Sequence, residues 1–384
     1  MFAHRITLFT LRGIRVQIDA SWLLLAVLIA WSLAVGYFPF AAPGLSAGTY
    51  WTMAMIGLIG LAASIIVHEF AHAIVARRHA MPVHDIVLFV FGGIAEMSGE
   101  PSRAKDELLM ALAGPATSVV LAGIFYGVGL IAAGGLGPGH PLAVVLAYLV
   151  FINLLLAAFN MVPAYPLDGG RALRAVLWLY KRDIVQATRI AAAVGSIFAF
   201  LLMAFGIASL FAGYLITGLW WLLIGMFVRA AAVGGFRQQV AQAKLSGLPV
   251  SRFMRRDPVA VVPDLSLDHL IGDYFYRFYF KSFPVTENGR LVGYVSVEQV
   301  KSIDRARWHQ QKVGDVMEPC GPENTVSEDS EAVKALGMMQ RTGRSRLFVA
   351  RGDQLAGVLS LRDLLNYLSL RLDLEGEAAT TVRA

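Results

Sequence analysis

Six long apolar stretches constrain this chain more than any other feature. Each has close to the roughly 20 residues that a helix needs to cross a bilayer. They lie at 20–37, 51–76, 107–133, 141–162, 190–210 and 213–232. The whole chain is 57% hydrophobic and 16% charged, whereas a soluble domain carries about 25% charged residues. Residues 1–235 therefore predict a polytopic α-helical membrane domain, and the more charged remainder predicts a cytosolic part.

The loops between these stretches alternate in charge. The segments 36–50, 134–141 and 211–218 contain no lysine or arginine. The other loops carry the basic residues Arg77, Arg78, Arg103, Lys105, Arg171, Arg174, Lys181, Arg182, Arg189, Arg229 and Arg237. By the positive-inside rule, this pattern predicts a multi-pass protein of the cell membrane with both termini in the cytoplasm. Because the net charge of +6 is explained as a topology signal, we expect no nucleic-acid partner.

The second apolar stretch contains a metal-binding pattern, His68-Glu69-Phe-Ala-His72. Residues i and i+4 share one face of a helix, so both imidazoles can bind one metal ion, with Glu69 close enough to act on water there. An acidic side chain inside a membrane helix costs at least about 2.5–3.5 kcal/mol. A metal ion satisfies all three polar side chains together. The alternative is a hydrogen-bonded polar cluster between helices.

Two histidines leave a catalytic zinc site incomplete, because such a site takes three protein ligands and keeps a fourth position for water. The candidate for the third ligand is Asp168, in the segment 160–171, NMVPAYPLDGGR. Its two prolines and two glycines exclude a regular helix throughout. Irregular backbone at membrane depth is tolerated only against protein or a wet cavity. A carboxylate placed there is a suitable oxygen ligand for zinc.

The two motifs together resemble those of the site-2 protease family, a family of intramembrane zinc metalloproteases. The resemblance covers about residues 10–235. In that family the HExxH helix and the LDG segment build one zinc site. The resemblance therefore implies that His68, His72 and Asp168 are the zinc ligands and that Glu69 is the general acid and base.

The resemblance extends to residues that bind substrate. Asn160 and Pro163 match the family positions that handle the substrate backbone, and Gly92 and Gly93 match a further family feature. The segment 86–95 reads as extended, because β-branched and aromatic residues precede these glycines. We expect a re-entrant hairpin that offers an edge strand to an unwound substrate. The alternative is a short helix at the membrane interface.

Beyond about residue 246 the chain contains an internal repeat, with copies at 246–310 and 311–372. Each copy has a methionine-containing opening, a short strand, a strand–turn–strand with glycine, and a closing helix. The sequences Gly293-Tyr-Val-Ser296 and Gly357-Val-Leu-Ser360 occupy matching positions. The repeat resembles a tandem pair of CBS modules, which implies an α/β domain and a homodimer formed through it.

CBS pairs commonly bind an adenine nucleotide, such as ATP, ADP or AMP. The family often places a serine or threonine, and an aspartate three residues later, against the ribose. Ser360 and Asp363 match this pattern in the second module, whereas Ser296 is followed by Gln299 in the first. The resemblance therefore implies a nucleotide site at the second module. The alternative is a module that only dimerises.

The expected activity is cleavage of transmembrane segments of membrane-anchored proteins, as in regulated intramembrane proteolysis. The resemblance implies an anti-sigma factor or a transcriptional regulator as substrate, with remnant signal peptides as a further class. The alternative is a CBS-regulated zinc-binding transporter or channel, but the apolar stretches lack the multiple carboxylates and paired broken helices of a transport path. A catalytically inactive adaptor would not need Glu69, because this residue is not a predicted ligand.

Overall fold

A computed structural model of the protein describes residues 5–79, 81, 83–90, 92–97, 101–137 and 139–374. The chain forms two compact units, Met1–Gln239 and Val240–Ala384. This division falls between residues 235 and 246, where the predicted membrane domain ends and the predicted repeat begins.

The first unit is mainly helical. Its helices are α1 (Ala20–Ser32), α2 (Phe38–Ala41), α3 (Ala47–Arg78), α4 (Ala104–Leu136), α5 (Pro141–Asn160), α6 (Asp168–Lys181), α7 (Ile184–Phe211) and α8 (Leu215–Leu245). A π-helical segment joins α1 to α2. The resulting span, together with α3, α4, α5, α7 and α8, gives six helices among the described residues that are long and apolar enough to cross a membrane. The predicted membrane fold is confirmed.

Polar caps set the starts of two helices, which begin before their apolar runs. The hydroxyl of Ser46 accepts a hydrogen bond from the backbone N–H of Thr49 at the start of α3 (3.2 Å). The carboxylate of Asp183 accepts one from the N–H of Val185 at the start of α7 (2.8 Å). The predicted starts at 51 and 190 are therefore too late, because the caps stabilise a first turn of lower hydrophobicity.

A four-stranded sheet accompanies these helices. Its strands are β1 (Arg5–Leu11), β2 (Ile14–Asp19), β3 (Val83–Phe89) and β4 (Gly92–Met97), hydrogen bonded in that order. β3 and β4 pair antiparallel as the predicted hairpin, so the interfacial helix is wrong for this segment. Among the described residues β4 pairs on one side only, which makes it an edge strand. β1 and β2 were not predicted, because no structure was assigned to the residues before the first apolar stretch.

Arg77, in the last turn of α3, forms hydrogen bonds that connect this sheet to the helix carrying the metal-binding pattern. Its guanidinium donates to the carbonyl oxygens of Arg12 (2.5 Å) and Gly13 (3.1 Å), which form the turn between β1 and β2. It also donates to the carbonyl of Val83, the first residue of β3 (2.6 Å). The hairpin β3–β4 is thus anchored at the end of α3, close in sequence to the histidines.

The second unit is built on a five-stranded sheet with the order β5-β6-β9-β8-β7. The strands are β5 (Ser282–Glu287), β6 (Arg290–Ser296), β7 (Thr325–Ser327), β8 (Arg346–Arg351) and β9 (Gln354–Ser360). The helices are α9 (Leu267–His269), α10 (Tyr276–Phe278), α11 (Val297–Lys301), α12 (Val313–Val316), α13 (Ala332–Thr342) and α14 (Leu361–Leu374). The hairpins β5–β6 and β8–β9 share the same irregularity, after Val285 and after Val349. The predicted internal repeat is therefore present in the backbone.

The two modules exchange their opening segments. Val250 and Phe253, which precede the first module's strands, lie in a core with the second module's Leu347 and Leu364. Val313, which opens the second copy, lies in the core formed by Phe283 and its neighbours in the first. The predicted bounds 246–310 and 311–372 follow the sequence repeat, whereas the packed modules cross that boundary.

Candidate metal centre

The two histidines of α3 are buried, with exposed fractions of 2% for His68 and 4% for His72. Nδ1 of His72 lies 2.7 Å from the carbonyl oxygen of Met110, and Nδ1 of His68 lies 2.8 Å from the hydroxyl of Ser118. A carbonyl oxygen only accepts hydrogen bonds, so Nδ1 of His72 carries the proton and its Nε2 presents a lone pair. Helix α4, which carries Met110 and Ser118, therefore orients the imidazoles for ligation through Nε2.

Asp168 completes a compact group of three ligand atoms at the first turn of α6. Its Oδ2 lies 3.2 Å from Nε2 of His68 and 3.2 Å from Nε2 of His72. The two Nε2 atoms are also 3.2 Å apart. Ligand atoms around a tetrahedral zinc ion, at about 2.0–2.1 Å from it, lie about 3.3 Å from one another. The predicted ligands thus form an equilateral triangle of the size that zinc requires.

Gly114 of α4 leaves open the space beside this triangle. A Cβ on this residue would overlap the Nε2 atoms of both His68 and His72. The next residue, Pro115, lies inside the helix. The Nε2 atoms therefore face a space that even an alanine side chain would fill, which fits a bound metal ion at this position.

The two glycines that follow Asp168 allow the first turn of α6 to pack closely against the backbone of the preceding loop. A Cβ on Gly169 would overlap the carbonyl oxygen of Met161, and one on Gly170 would overlap the backbone nitrogen of Tyr165. The sequence predicted that the segment 160–171 is not a regular helix throughout, and this is confirmed. Residues 161–167 are irregular, and helix α6 starts at Asp168 itself.

Glu69 lies against the β3–β4 hairpin. A Cβ on Gly93 would come within 2.6 Å of Cγ and 3.0 Å of Oε1 of Glu69, so the first residues of β4 run directly past this side chain. The preceding Gly92 has φ of +126°, a conformation that side chains rarely adopt. Both predicted glycines are therefore needed for the hairpin to approach the carboxylate.

The two other predicted substrate residues flank the start of the irregular loop. Asn160 is the last residue of α5, and its side-chain amide donates to the carbonyl of Leu156 within the same helix (3.1 Å). Pro163 is exposed in the loop between Asn160 and Asp168. Their roles as substrate contacts stay predictions.

A buried ion pair that the sequence analysis did not single out fastens α6 to α4. Nε of Arg174 donates to Oε1 of Glu107 (2.7 Å), and its Nη2 donates to the same oxygen. Glu107 has no exposed surface and Arg174 is 3% exposed. Removing one partner of such a pair typically costs about 3–5 kcal/mol, because the other charge is left buried and unpaired. The intact pair therefore keeps α6, which presents Asp168, beside α4.

Two of the contacts that helix α4 makes with the site could have been predicted by the argument already applied to Glu69. Glu107 and Ser118 are polar residues within the third apolar stretch, where an uncompensated polar group is unfavourable. We interpreted the first of them only as the end of an apolar run. The carbonyl of Met110 left no sequence signal, because its contact depends on how α3 and α4 pack.

In the second unit, the predicted nucleotide residues form helix caps. The Ser360 hydroxyl donates to Asp363 Oδ2 and accepts from the Asp363 backbone N–H (3.2 Å), at the start of α14. In the first module, Gln299 Oε1 accepts from the backbone N–H of Ser296, completing a capping box. Both serine pairs therefore have a structural role in their own module, whether or not a ligand binds.

A helical membrane unit with a buried His–His–Asp triangle and an adjacent glutamate defines an HExxH metallohydrolase set within a membrane. The model of Peptidase family M50 matches residues 56–138 and 138–205. The CBS domain model matches residues 250–304 and 313–370.

Known proteins resemble the chain over nearly its whole length. It is 32% identical over 367 residues to Rip3 of Mycobacterium tuberculosis, whose name classes it with zinc metalloproteases; the match covers 95% of this chain and 93% of that one. It is 29% identical over 380 residues to a zinc metalloprotease of Methanocaldococcus jannaschii, covering 97% and 98%. The solved site-2 protease from that archaeon is 27% identical, with a TM-score of 0.41, and the match covers 60% of this chain and 94% of that chain.

The chain belongs to peptidase family M50, the site-2 proteases, and carries a CBS domain. It is a multi-pass intramembrane zinc metalloprotease. The transporter or channel alternative is not favoured, because the matching family and the named relatives are peptidases.

Proposed function

We propose that His68, His72 and Asp168 hold one zinc ion per chain and that Glu69 is the catalytic residue that cleaves transmembrane segments. The observation that carries this assignment is the triangle of ligand atoms, 3.2 Å on each side. Zinc bound there would supply a Lewis acid for water and for the scissile carbonyl. Glu69 accepts a proton from the attacking water and transfers it to the leaving amine.

The edge strand β4 is proposed to hold the substrate beside Glu69. A transmembrane helix protects its carbonyl groups by internal hydrogen bonds, so the segment to be cleaved must unwind. An unwound segment can pair through main-chain hydrogen bonds with the edge of β4 that meets no strand in the described part of the chain. Gly93 lies against Glu69, so pairing there brings a substrate peptide bond near the carboxylate. Asn160 and Pro163 are proposed to contact the same extended segment, with the Asn160 amide turning from its own helix.

The metal content of purified variants tests the ligand set. Wild-type protein is expected to contain about one zinc per chain, and His68→Ala and Asp168→Ala are expected to lose most of it, because two ligands hold zinc far less firmly than three. Elemental analysis of the full-length protein after dialysis gives the stoichiometry. Asp363→Ala, a carboxylate removed in the other unit, is the control and should keep its zinc. Full occupancy with unchanged coordination in Asp168→Ala would exclude this residue as the third ligand.

We propose that both termini are cytoplasmic and that the metal centre lies near the cytoplasmic face. Basic residues support this orientation: Arg77 and Arg78 end α3, which carries the histidines, and Arg171 and Arg174 follow Asp168. A reporter of compartment fused after Ala384 should report the cytoplasm, and one inserted near Gly44 should report the opposite side. The reverse pattern would contradict both the orientation and the depth of the site.

The CBS domain is proposed to bind an adenine nucleotide at the second module and to alter substrate entry. Positive charge near Asp363 supports a phosphorylated ligand: Arg255 lies 3.5 Å from its carboxylate. Burial, together with the positive neighbours Arg255 and Arg362, lowers the pKa of Arg346. A nucleotide that changes substrate entry must bind the two entry states differently, and this coupling is reciprocal.

Calorimetry on the full-length protein with ATP, ADP and AMP tests this proposal. Asp363→Gln is the informative variant, because glutamine at the matching position of the first module keeps the helix cap. Losing a charged hydrogen-bond partner should weaken nucleotide binding by about 10–100-fold. Gln299→Ala should leave binding unchanged, and cleavage with and without nucleotide measures the coupling. If millimolar nucleotide does not bind, or Asp363→Gln binds as wild type does, the module is one that only dimerises.

The proposed partners follow from this function. The substrate is a membrane-anchored protein, with an anti-sigma factor, a transcriptional regulator or a remnant signal peptide as the classes to test. A second copy of the chain, joined through the CBS modules, is the other proposed partner.

A further inference from the structure

Tyr165 lies in the irregular loop between α5 and α6, and glycines from three helices meet it. A Cβ on Gly170 of α6 would overlap the Tyr165 backbone nitrogen, and one on Gly195 of α7 would overlap its carbonyl oxygen. A Cβ on Gly235 of α8 would lie 2.5 Å from Cε1 of the ring and 2.7 Å from its hydroxyl oxygen. The backbone and the ring of Tyr165 are thus enclosed by helices that have no side chain at the point of contact.

The ring of Tyr165 also contacts a charge that is itself fixed in place. The guanidinium carbon of Arg174 lies 5.3 Å from the ring centroid, within the range of a cation–π contact. Arg174 is held by its buried ion pair with Glu107 of α4. Because this guanidinium restrains the ring, a shift of α8 towards the ring would displace the backbone of Tyr165 and the loop around it.

The loop backbone leads directly to Asp168. The N–H of Leu167 donates to the carbonyl of Ala164 (2.9 Å), which closes a turn around Tyr165. The N–H of Arg171 donates to the carbonyl of Leu167 (2.9 Å), at the start of α6. A shift of Tyr165 is therefore transmitted through a short hydrogen-bonded segment to the carboxylate beside the two imidazoles.

We propose that Tyr165 is a positioning residue that couples the place of α8 to the orientation of Asp168 in the metal centre. This inference rests on the proposed function, because it takes Asp168 as a zinc ligand. Helix α8 is the last membrane span and precedes the CBS modules in the chain. A movement of α8 towards Tyr165 then turns the Asp168 carboxylate away from the two Nε2 atoms and weakens zinc binding. A movement away from Tyr165 lets the carboxylate return to its place in the triangle of ligand atoms.

Two neighbouring glycines on α8 provide a matched pair of variants. Gly235→Ala places a methyl group against the ring, whereas Gly234→Ala places the same group where no atom lies within 4 Å. Gly235→Ala should lower zinc affinity by about 10–100-fold, the effect usual for residues that orient metal ligands. It should also change the visible absorption of the cobalt(II)-substituted protein, which reports ligand geometry. Gly234→Ala should match wild type in both measurements.

A double-mutant cycle shows whether the effect passes through Tyr165. Tyr165→Phe keeps the ring and should retain wild-type metal affinity, whereas Tyr165→Ser should weaken it. In the Tyr165→Ser background, Gly235→Ala should cause no further loss, because no ring remains to transmit the displacement. An undiminished effect of Gly235→Ala in that background would overturn the proposal, as would a wild-type cobalt spectrum for Gly235→Ala alone.

Two further comparisons keep the outcomes distinct. If Gly235→Ala does not fold, the comparison of Tyr165→Phe with Tyr165→Ser decides, and equal zinc affinity and equal cobalt spectra in these two would exclude the ring from positioning. His68→Ala tests the metal centre itself. Full zinc in that variant would contradict the proposed function, whereas loss of zinc there with no effect at Tyr165 and Gly235 would contradict only this inference.

Discussion

Glu69→Gln is expected to keep its zinc and to lower cleavage of a transmembrane substrate by at least about 100-fold, since general acid–base catalysis contributes typically 10²–10⁴-fold. Glutamine has nearly the same shape as glutamate but does not carry a proton between water and the leaving amine. The triangle of ligand atoms does not include Glu69, so its replacement leaves the ligand set complete. The measurements are zinc content and turnover of a labelled transmembrane peptide that the wild-type protein cleaves.

Two variants serve as controls for this result. Glu298→Gln makes the same chemical change on an exposed residue of the second unit and should cleave as wild type does. His68→Ala should lose both zinc and cleavage, which separates loss of the metal from loss of the proton carrier. Normal turnover by Glu69→Gln would remove the proposed mechanism. Membrane fragments that accumulate in cells bearing this variant would identify the substrates.

Features that depend on spacing or on apolar length could be predicted from the sequence. His68 and His72 are one helical turn apart, and a membrane helix of sufficient length has few alternative structures. Asp168 was predicted because two histidines leave a zinc site one ligand short and the irregular segment supplies a carboxylate. The hairpin at Gly92 and Gly93 was predicted from the β-branched and aromatic residues that precede these glycines.

Features that depend on packing between helices could not be predicted in the same way. The contact of His72 with the carbonyl of Met110 exists because α4 passes beside α3, and a backbone carbonyl leaves no mark on the sequence. The role of Gly114, which leaves space beside two imidazoles, likewise appears only in three dimensions. The strands β1 and β2 were missed because the helices of the first unit were predicted from apolar length, and these strands precede the first apolar stretch.

The Ser360–Asp363 pair shows how one pattern can have two causes. Three-residue spacing places a carboxylate against a serine cap at the first turn of α14, and this is also the spacing that suggested ribose binding. In the first module the Ser296 hydroxyl also accepts from the N–H three residues later, and Gln299 there accepts from the Ser296 backbone N–H. A serine cap of this kind therefore forms without an aspartate. Capping alone does not explain Asp363, whereas binding of a ribose would.

Gly114→Ala is expected to abolish both zinc binding and cleavage while the first, helical unit remains folded. The added Cβ would overlap Nε2 of both His68 and His72, so the imidazoles must turn away or α4 must withdraw. Turning breaks the contacts of the imidazoles with Ser118 and Met110, and withdrawal moves those partners away. Loss of such orienting contacts alone lowers metal affinity by about 10–100-fold, and a methyl group in the space beside the Nε2 atoms lowers it further.

Gly123→Ala is the matched control, because it adds the same methyl group to the same helix where no atom lies within 4 Å. Alanine favours a helix more than glycine does, by about 1 kcal/mol, so both variants gain local helix stability and differ only in what the methyl group meets. Zinc content, cleavage and the midpoint of thermal unfolding should therefore be wild-type or better in Gly123→Ala. Gly114→Ala should instead combine a lost metal with retained helix content measured by circular dichroism. A Gly114→Ala protein with a full complement of zinc and normal cleavage would show that the metal does not lie beside α4, and the triangle of ligand atoms would need another explanation.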